Sequence, residues 1–259
     1  MAATPDLLVE RDGAVLTVTF HRPDKHNAMT SAMYDRLAEA CAEADRDPEV
    51  RAMVLAGAGD RAFVAGTDIA EFLAFEGGED GVRYERRITE VLDALEQVRV
   101  PTIAAVSGHC FGGGLALATA CDLRVVTPDS RFGYPIARTL GNCLSASTLA
   151  ALVECLGAAR TKTLLLLARP MDAEEAVASG FAAEVVPGDR LRQRVAALAE
   201  EMSGHAPLTM WATKEALRRL RVAAMPDDTD IIHTVYGSRD FHEGVRDFLA
   251  KRPHTWTGR

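Results

Sequence analysis

Residues 101–126, PTIAAVSGHCFGGGLALATACDLRVV, read as strand, glycine turn, helix and strand. Pro101 opens the apolar run TIAAVSG, which has strand length. Gly112, Gly113 and Gly114 then precede LALATA, a short apolar helix with no acid, base or nucleophile stronger than Thr119. DLRVVT reads as the next strand. The glycines admit two readings. They let backbone N–H groups crowd around an anion or a polarised carbonyl. They equally let a helix sit tight on a strand.

Strand, loop and helix alternate on both sides of this unit, which makes the first 190 residues an α/β arrangement. Upstream, the chain turns at Asp12-Gly13, and AVLTVTF then alternates Leu16, Val18 and Phe20 against Val15, Thr17 and Thr19, a strand signature. HRPDKHNA is a loop. Thr30 or Ser31 caps a helix whose Met33, Leu37, Ala40, Cys41 and Ala44 share one face. Val50 to Ala56 is a buried strand followed by the loop GAGDRAFVAGTD, and a helical pattern runs from Val82 to Val98. From Leu191 onward the strands stop and helical segments follow one another. An all-helical tail on an α/β body predicts two units, 1–190 and 191–259, the second an appendage for assembly.

Bulk composition narrows the function. Apolar residues make up 48% of the 259, charged residues 25%, and the net charge is -8. An acidic chain argues against nucleic acid as partner. The five cysteines, at 41, 110, 121, 143 and 155, form no CxxC pair, so reduced thiols are expected and neither disulfides nor a metal site. The N-terminus lacks the apolar run of a signal peptide, and no segment has the length of a membrane span. A soluble cytoplasmic protein is expected.

A second small-residue loop, AFVAGTDIAEF at 62–72, leads towards an acid-bearing helix start. Thr67 there and Gly113 in the first loop each aim a backbone N–H outward. Two such donors on one carbonyl oxygen make an oxyanion hole, in which a single donor is worth about 3 to 4 kcal/mol of transition-state stabilisation.

The segments HRPDKHNAM, AFVAGTDIAEF, PTIAAVSGHCFGGGLALATACDLRV, RFGYP, a helical DAEEAVASGFAAEVV, TKEALRRL and EGVRDFLAKRP follow one another in order over nearly the whole chain. In this the sequence resembles the crotonase (enoyl-CoA hydratase/isomerase) superfamily. The resemblance implies a spiral of ββα units with a C-terminal all-helical assembly domain, and a homotrimer or a hexamer built as a dimer of trimers. It implies an acyl-CoA thioester as ligand, its carbonyl held by the amides of Thr67 and Gly113. Lys25, His26 and Ala28 would then lie near the CoA nucleotide, and Ala65, Asp68 and Ile69 near the pantetheine. Phe248 and Lys251 match tail positions that touch CoA in relatives. No cofactor is implied beyond the coenzyme A of the substrate itself.

The sequence departs from that pattern where the chemistry sits. Hydratases of the family resemble one another in two glutamates, and at those positions this chain has Ala116 and either Ile136 or Ala137. General acid–base help is worth about 10²- to 10⁴-fold per group, so ordinary hydration should fall to a trace unless another group substitutes. Cys143 in LGNCLSAS lies close to where the 4-chlorobenzoyl-CoA dehalogenase type carries an aspartate nucleophile. A thiol there needs a lowered pKa to act, and otherwise reads as a small apolar residue at a helix start. Arg138, Tyr134, His109, Asp68, Glu71 and Asp122 are further polar candidates, each with an ordinary structural reading and none a general base. Two functions are therefore expected in competition: an acyl-CoA enzyme with its reaction open, and a catalytically silent acyl-CoA-binding subunit or sensor. A nucleotide-binding reading of GAGDRA lacks the third glycine of the fingerprint.

Overall fold

The computed structural model describes residues 5–223 and 225–258. The outer ends of the two expected units, residues 1–4 and 259, lie outside them.

The chain begins with a hairpin, β1 (Leu7–Asp12) against β2 (Val15–Phe20), and then α1 (Ser31–Arg46). In β2 the alternation seen in sequence buries Leu16, Val18 and Phe20. Thr30 caps α1 by accepting from the Met33 N–H, and the face from Met33 to Ala44 is buried.

Three further ββα units follow. β3 (Ala52–Gly57) and β4 (Ala62–Val64) lead to α2 (Gly78–Gln97). β5 (Thr102–Val106) and β6 (His109–Phe111) lead to α3 (Gly113–Ala120). β7 (Leu123–Val126) and β8 (Arg131–Gly133) lead to the single turn α4 (Ile136–Thr139) and the long α5 (Ala146–Leu166). The first strand of each unit joins a six-stranded sheet of order β1-β2-β3-β5-β7-β10, parallel from β2 onward. The second strand joins a four-stranded sheet of order β4-β6-β8-β9. Each unit thus advances both sheets by one strand, which is the expected spiral.

Three details differ from the sequence reading. α2 starts four residues before Val82, because Asp80 accepts from the N–H groups of Glu76 and Gly77 and closes the helix start earlier. DAEEAVASGFAAEVV is not one helix: β9 (Met171–Asp172) precedes α6 (Ala173–Ala178), and the rest supplies β10 (Glu184–Val185), paired with β7. GAGDRA joins β3 to β4, so no helix N-terminus follows it to hold a nucleotide phosphate.

Beyond a short turn at Gly188–Arg190 come α7 (Leu191–Ser203), α8 (Pro207–Val222), α9 (Thr229–Tyr236) and α10 (Arg239–Leu249). α7 is a layer of the body, since Leu191, Val195 and Ala199 pack on Ala52, Val54, Ile103, Ala105 and Val125 of the large sheet. α9 and α10 turn back, so that Ile232, Tyr236, Phe241 and Val245 pack on Phe72, Val82 and Leu140. No described helix is long and apolar enough to cross a membrane.

Candidate active site

The two glycine-bearing loops meet. After β4 the chain runs through Gly66 and Thr67 beside residues 26–29: Ala65 N–H donates to the His26 carbonyl, Met29 N–H to Gly66, and Asp68 N–H to Met29. After β6 it runs through Gly112, whose φ of +52° suits a residue without Cβ. A Cβ on Gly113 would lie 3.4 Å from Thr67 Oγ1, so the loops are in contact. Gly114 sits so close to β4 that a Cβ would overlap the Val64 carbonyl oxygen. Gly114 therefore packs the helix onto the strand, and Gly113 faces Thr67.

Thr67 is held on both sides. Its hydroxyl lies 2.9 Å from Tyr34 Oη and 2.7 Å from Tyr84 Oη. Burial pushes the Tyr34 phenol up to about 12, and that of Tyr84 well above its ordinary value, so both act as neutral hydrogen-bonding groups. Among the described residues no backbone carbonyl accepts from the N–H of Thr67 or Gly113. Both residues line a cavity of about 290 Å³.

The walls of that cavity are mostly apolar and aromatic, with Ile69, Phe72, Ile88, Phe111 and Leu144 among them. Ala116, at the first family glutamate position, lines it, and of the two positions offered for the second, Ile136 lines it while Ala137 is exposed. Tyr134 lines it too, with its hydroxyl buried and unpartnered among the described residues. Phe248 of α10 reaches the cavity while remaining 44% exposed.

One carboxylate among the described residues lines the cavity, and the sequence reading missed it. Glu85 of α2 is 4% exposed. Its Oε1 accepts from Tyr236 Oη at 2.6 Å and its Oε2 from the Ser145 N–H at 3.0 Å. Burial pushes its carboxyl up to about 7, against the pull of those two donors, with the Asp228 carboxylate adding to the rise. A signal was present: Glu85 stands three residues from Val82 and three from Ile88, on the apolar stripe of the helix rather than its polar side.

The other candidates are dispersed. Of the residues matched to CoA contacts, Ala65 and Ile69 line the cavity, as Phe248 does. Lys25 is exposed at the end of a 3-10 turn, and His26 adopts a left-handed backbone. Ala28 is tied by its carbonyl to Arg22, and Asp68 pairs with Arg22 at 3.1 Å while capping the next turn. Lys251 is exposed just beyond α10. His109 stacks on Phe111 at 5.2 Å between ring centroids and lies 6.1 Å from His26. Arg138 is exposed and Asp122 binds Thr102 and Lys214. Cys143 packs at the edge of the Phe72–Tyr236–Phe241 cluster, and burial with the Glu85 and Asp228 carboxylates pushes its thiol up to about 12. That direction opposes an activated thiolate.

A family profile described as enoyl-CoA hydratase/isomerase matches residues 10–259. The chain belongs to the enoyl-CoA hydratase/isomerase family. This family member is 30% identical over 260 residues to the 2,3-dehydroadipyl-CoA hydratase of Escherichia coli, covering 98% of this chain and 99% of that one. Among solved structures, it is similar to an enoyl-CoA hydratase/carnithine racemase from Magnetospirillum magneticum. That match has a TM-score of 0.80 and 33% identity, over 99% of this chain and 97% of that one. It is also similar to a methylmalonyl-CoA decarboxylase in complex with 2-nitronate-propionyl-CoA. Here the TM-score is 0.89 and the identity 28%, over 99% and 100% of the two chains.

Proposed function

We propose that this protein is an acyl-CoA enzyme that holds a thioester carbonyl between the N–H groups of Thr67 and Gly113 and stabilises the enolate formed from it. The observation that carries the reading is the pair of adjacent N–H groups, free of backbone acceptors, on the wall of an apolar cavity. Fixed amides stabilise developing charge without reorganising during the reaction, and the positive end of α3 adds to them. The resident tyrosines keep Thr67 in one orientation, so its N–H is positioned before substrate arrives.

The acyl group occupies the cavity, with Ala65 and Ile69 beside the thioester end of the pantetheine. His109 and His26 continue outward from Phe111 and, with Lys25, Ala28 and Asp68, mark the path of the rest of CoA. Phe248 and Lys251 border the same path from the tail. Coenzyme A enters only as part of the substrate. The same reading makes the protein a homotrimer or a dimer of trimers, consistent with α8, which buries no residue fully and leaves Leu208, Leu217 and Leu220 exposed.

A catalytically silent acyl-CoA-binding subunit is the competing reading, favoured by the apolar side chains of Ala116 and Ile136 on the cavity wall. Glu85 in the same wall favours the enzyme. Calorimetry with acetyl-, butyryl- and phenylacetyl-CoA against free CoA tests the binding, and mass spectrometry of a panel of enoyl-CoAs tests turnover. Acyl-CoAs are expected to bind more tightly than free CoA, with at least one enoyl-CoA converted. Binding with neither conversion nor α-proton exchange would favour the silent reading, and no binding would overturn both.

A further inference from the structure

We propose that Glu85 is the acid–base catalyst of this cavity, moving a proton to and from the acyl carbons next to the thioester. The proposal rests on the acyl-CoA reading above and adds to it the group that handles the proton.

Glu85 meets the geometric needs of such a group. It lines the same small cavity as Thr67 and Gly113 and comes from α2, an element separate from both loops. Its two oxygens are fixed by donors from α9 and from the start of α5, each bond leaving lone-pair capacity on its oxygen. Tyr236 is itself steadied by the Asn142 amide, which donates to its hydroxyl at 3.3 Å. Among the described residues no cation pairs with the carboxyl. The titratable groups that feel its charge or act on it are Tyr236 on α9, Tyr34 on α1, Tyr84 on α2, Tyr134 after β8, Cys143 before α5 and Asp228 before α9, while Arg86 and Glu90 of α2 share a second cavity with it. The tyrosines and the cysteine are neutral, and the Asp228 charge disfavours the carboxylate. A carboxyl in such surroundings exchanges its proton near neutral pH, where a general acid–base catalyst is most effective.

The step balances without a further reactant. The Glu85 carboxylate takes a proton from Cα, so the C–H bond breaks and a carboxyl O–H forms. The electron pair moves to the thioester oxygen, held by the Thr67 and Gly113 N–H groups. The same carboxyl then returns its proton to Cα, or to the γ-carbon when the acyl chain is unsaturated at the β,γ position. One carboxyl suffices for a proton relocation, because the group that takes the proton is the group that returns it. Proton transfer within the acyl chain is the chemistry the proposal gives this site.

Exchange in D2O isolates that step, because a saturated acyl-CoA forms an enolate but takes up no water. Butyryl-CoA incubated with the protein is expected to gain deuterium at Cα by mass spectrometry. Glu85→Gln, which can still bond both Tyr236 and Ser145, is expected to slow incorporation by about 10²-fold or more while binding butyryl-CoA within a few-fold of wild type. Tyr236→Phe removes a donor that favours the carboxylate, so the pH midpoint of exchange should move upward. Exchange by Glu85→Gln at the wild-type rate would overturn the proposal. So would binding of butyryl-CoA by wild-type protein with no exchange, which leaves acyl-CoA binding by this cavity intact. Failure of wild type to bind butyryl-, acetyl- or phenylacetyl-CoA would overturn that reading and the proposal with it.

Discussion

Glu85 carries a thermodynamic cost that can be read independently of catalysis. Burial holds its carboxyl at about 7, whereas in the unfolded chain it has the ordinary carboxylate value near 4.5. Between those values the folded state binds the proton and the unfolded state has released it. Stability contributed by this group is therefore present at acid pH and is lost as pH rises through that window. Glu85→Gln removes the titration. Relative to the variant, the wild type is expected to lose roughly 3 kcal/mol between pH 5 and pH 8. Urea unfolding of both proteins at the two pH values checks this. A wild-type curve that tracks the variant at both would mean the carboxyl is not buried as described. The candidate nucleophile Cys143 is the converse lesson at this scale. Its sequence neighbourhood suggested reactivity, and its surroundings supply burial and two carboxylates in place of the cation or helix dipole a thiolate needs.

At the scale of elements, α3 and its glycine turn do two things at once. The helix is apolar on all sides, and from Gly114 to Ala120 its residues are buried, so it works as a core element as well as the support of a donor. Gly114 allows the close approach to β4 that brings Gly113 beside Thr67. Gly114→Ala places a methyl group on a backbone carbonyl that cannot move without disturbing β4. Destabilisation of about 1–3 kcal/mol is expected, measured by the urea midpoint, together with weaker acyl-CoA binding. An alanine variant as stable as wild type would show that the helix has room to shift.

At the scale of the molecule, the helical tail is divided in its role. α7 covers the large sheet, and α9 with α10 closes the cavity, supplying Tyr236 to Glu85 and Phe248 to the wall. Among the described tail helices, α8 leaves three leucines exposed, Leu208, Leu217 and Leu220. Lys214 anchors it to Asp122 and the Val100 carbonyl, and Arg221 anchors it to Glu96 and Glu154. Exposed leucines such as Leu217 and Leu220 on a firmly held helix are suited to subunit contact. Native mass spectrometry is expected to show three or six chains, and the double variant Leu217→Asp, Leu220→Asp to shift that population towards single chains. A wild-type monomer would remove the assembly reading.

Local patterns settled what neighbouring residues could settle by themselves. Alternation in β2, the Thr30 cap, the apolar face of α1 and the glycine loops all act within a few residues, and each appears where sequence placed it. The order of motifs along the chain likewise carried the family and the ββα spiral. Helix ends shifted where a side chain such as Asp80 competed for the backbone, and the region after β8 split into finer pieces. The site carboxyl was beyond sequence reach for a different reason. Glu85 becomes a candidate catalyst only through Ser145, 60 residues away, and Tyr236, 151 residues away, which bury and orient it. Period and spacing describe which face a residue occupies. Desolvation and hydrogen bonding, which set its proton affinity, come from whatever the fold brings against that face.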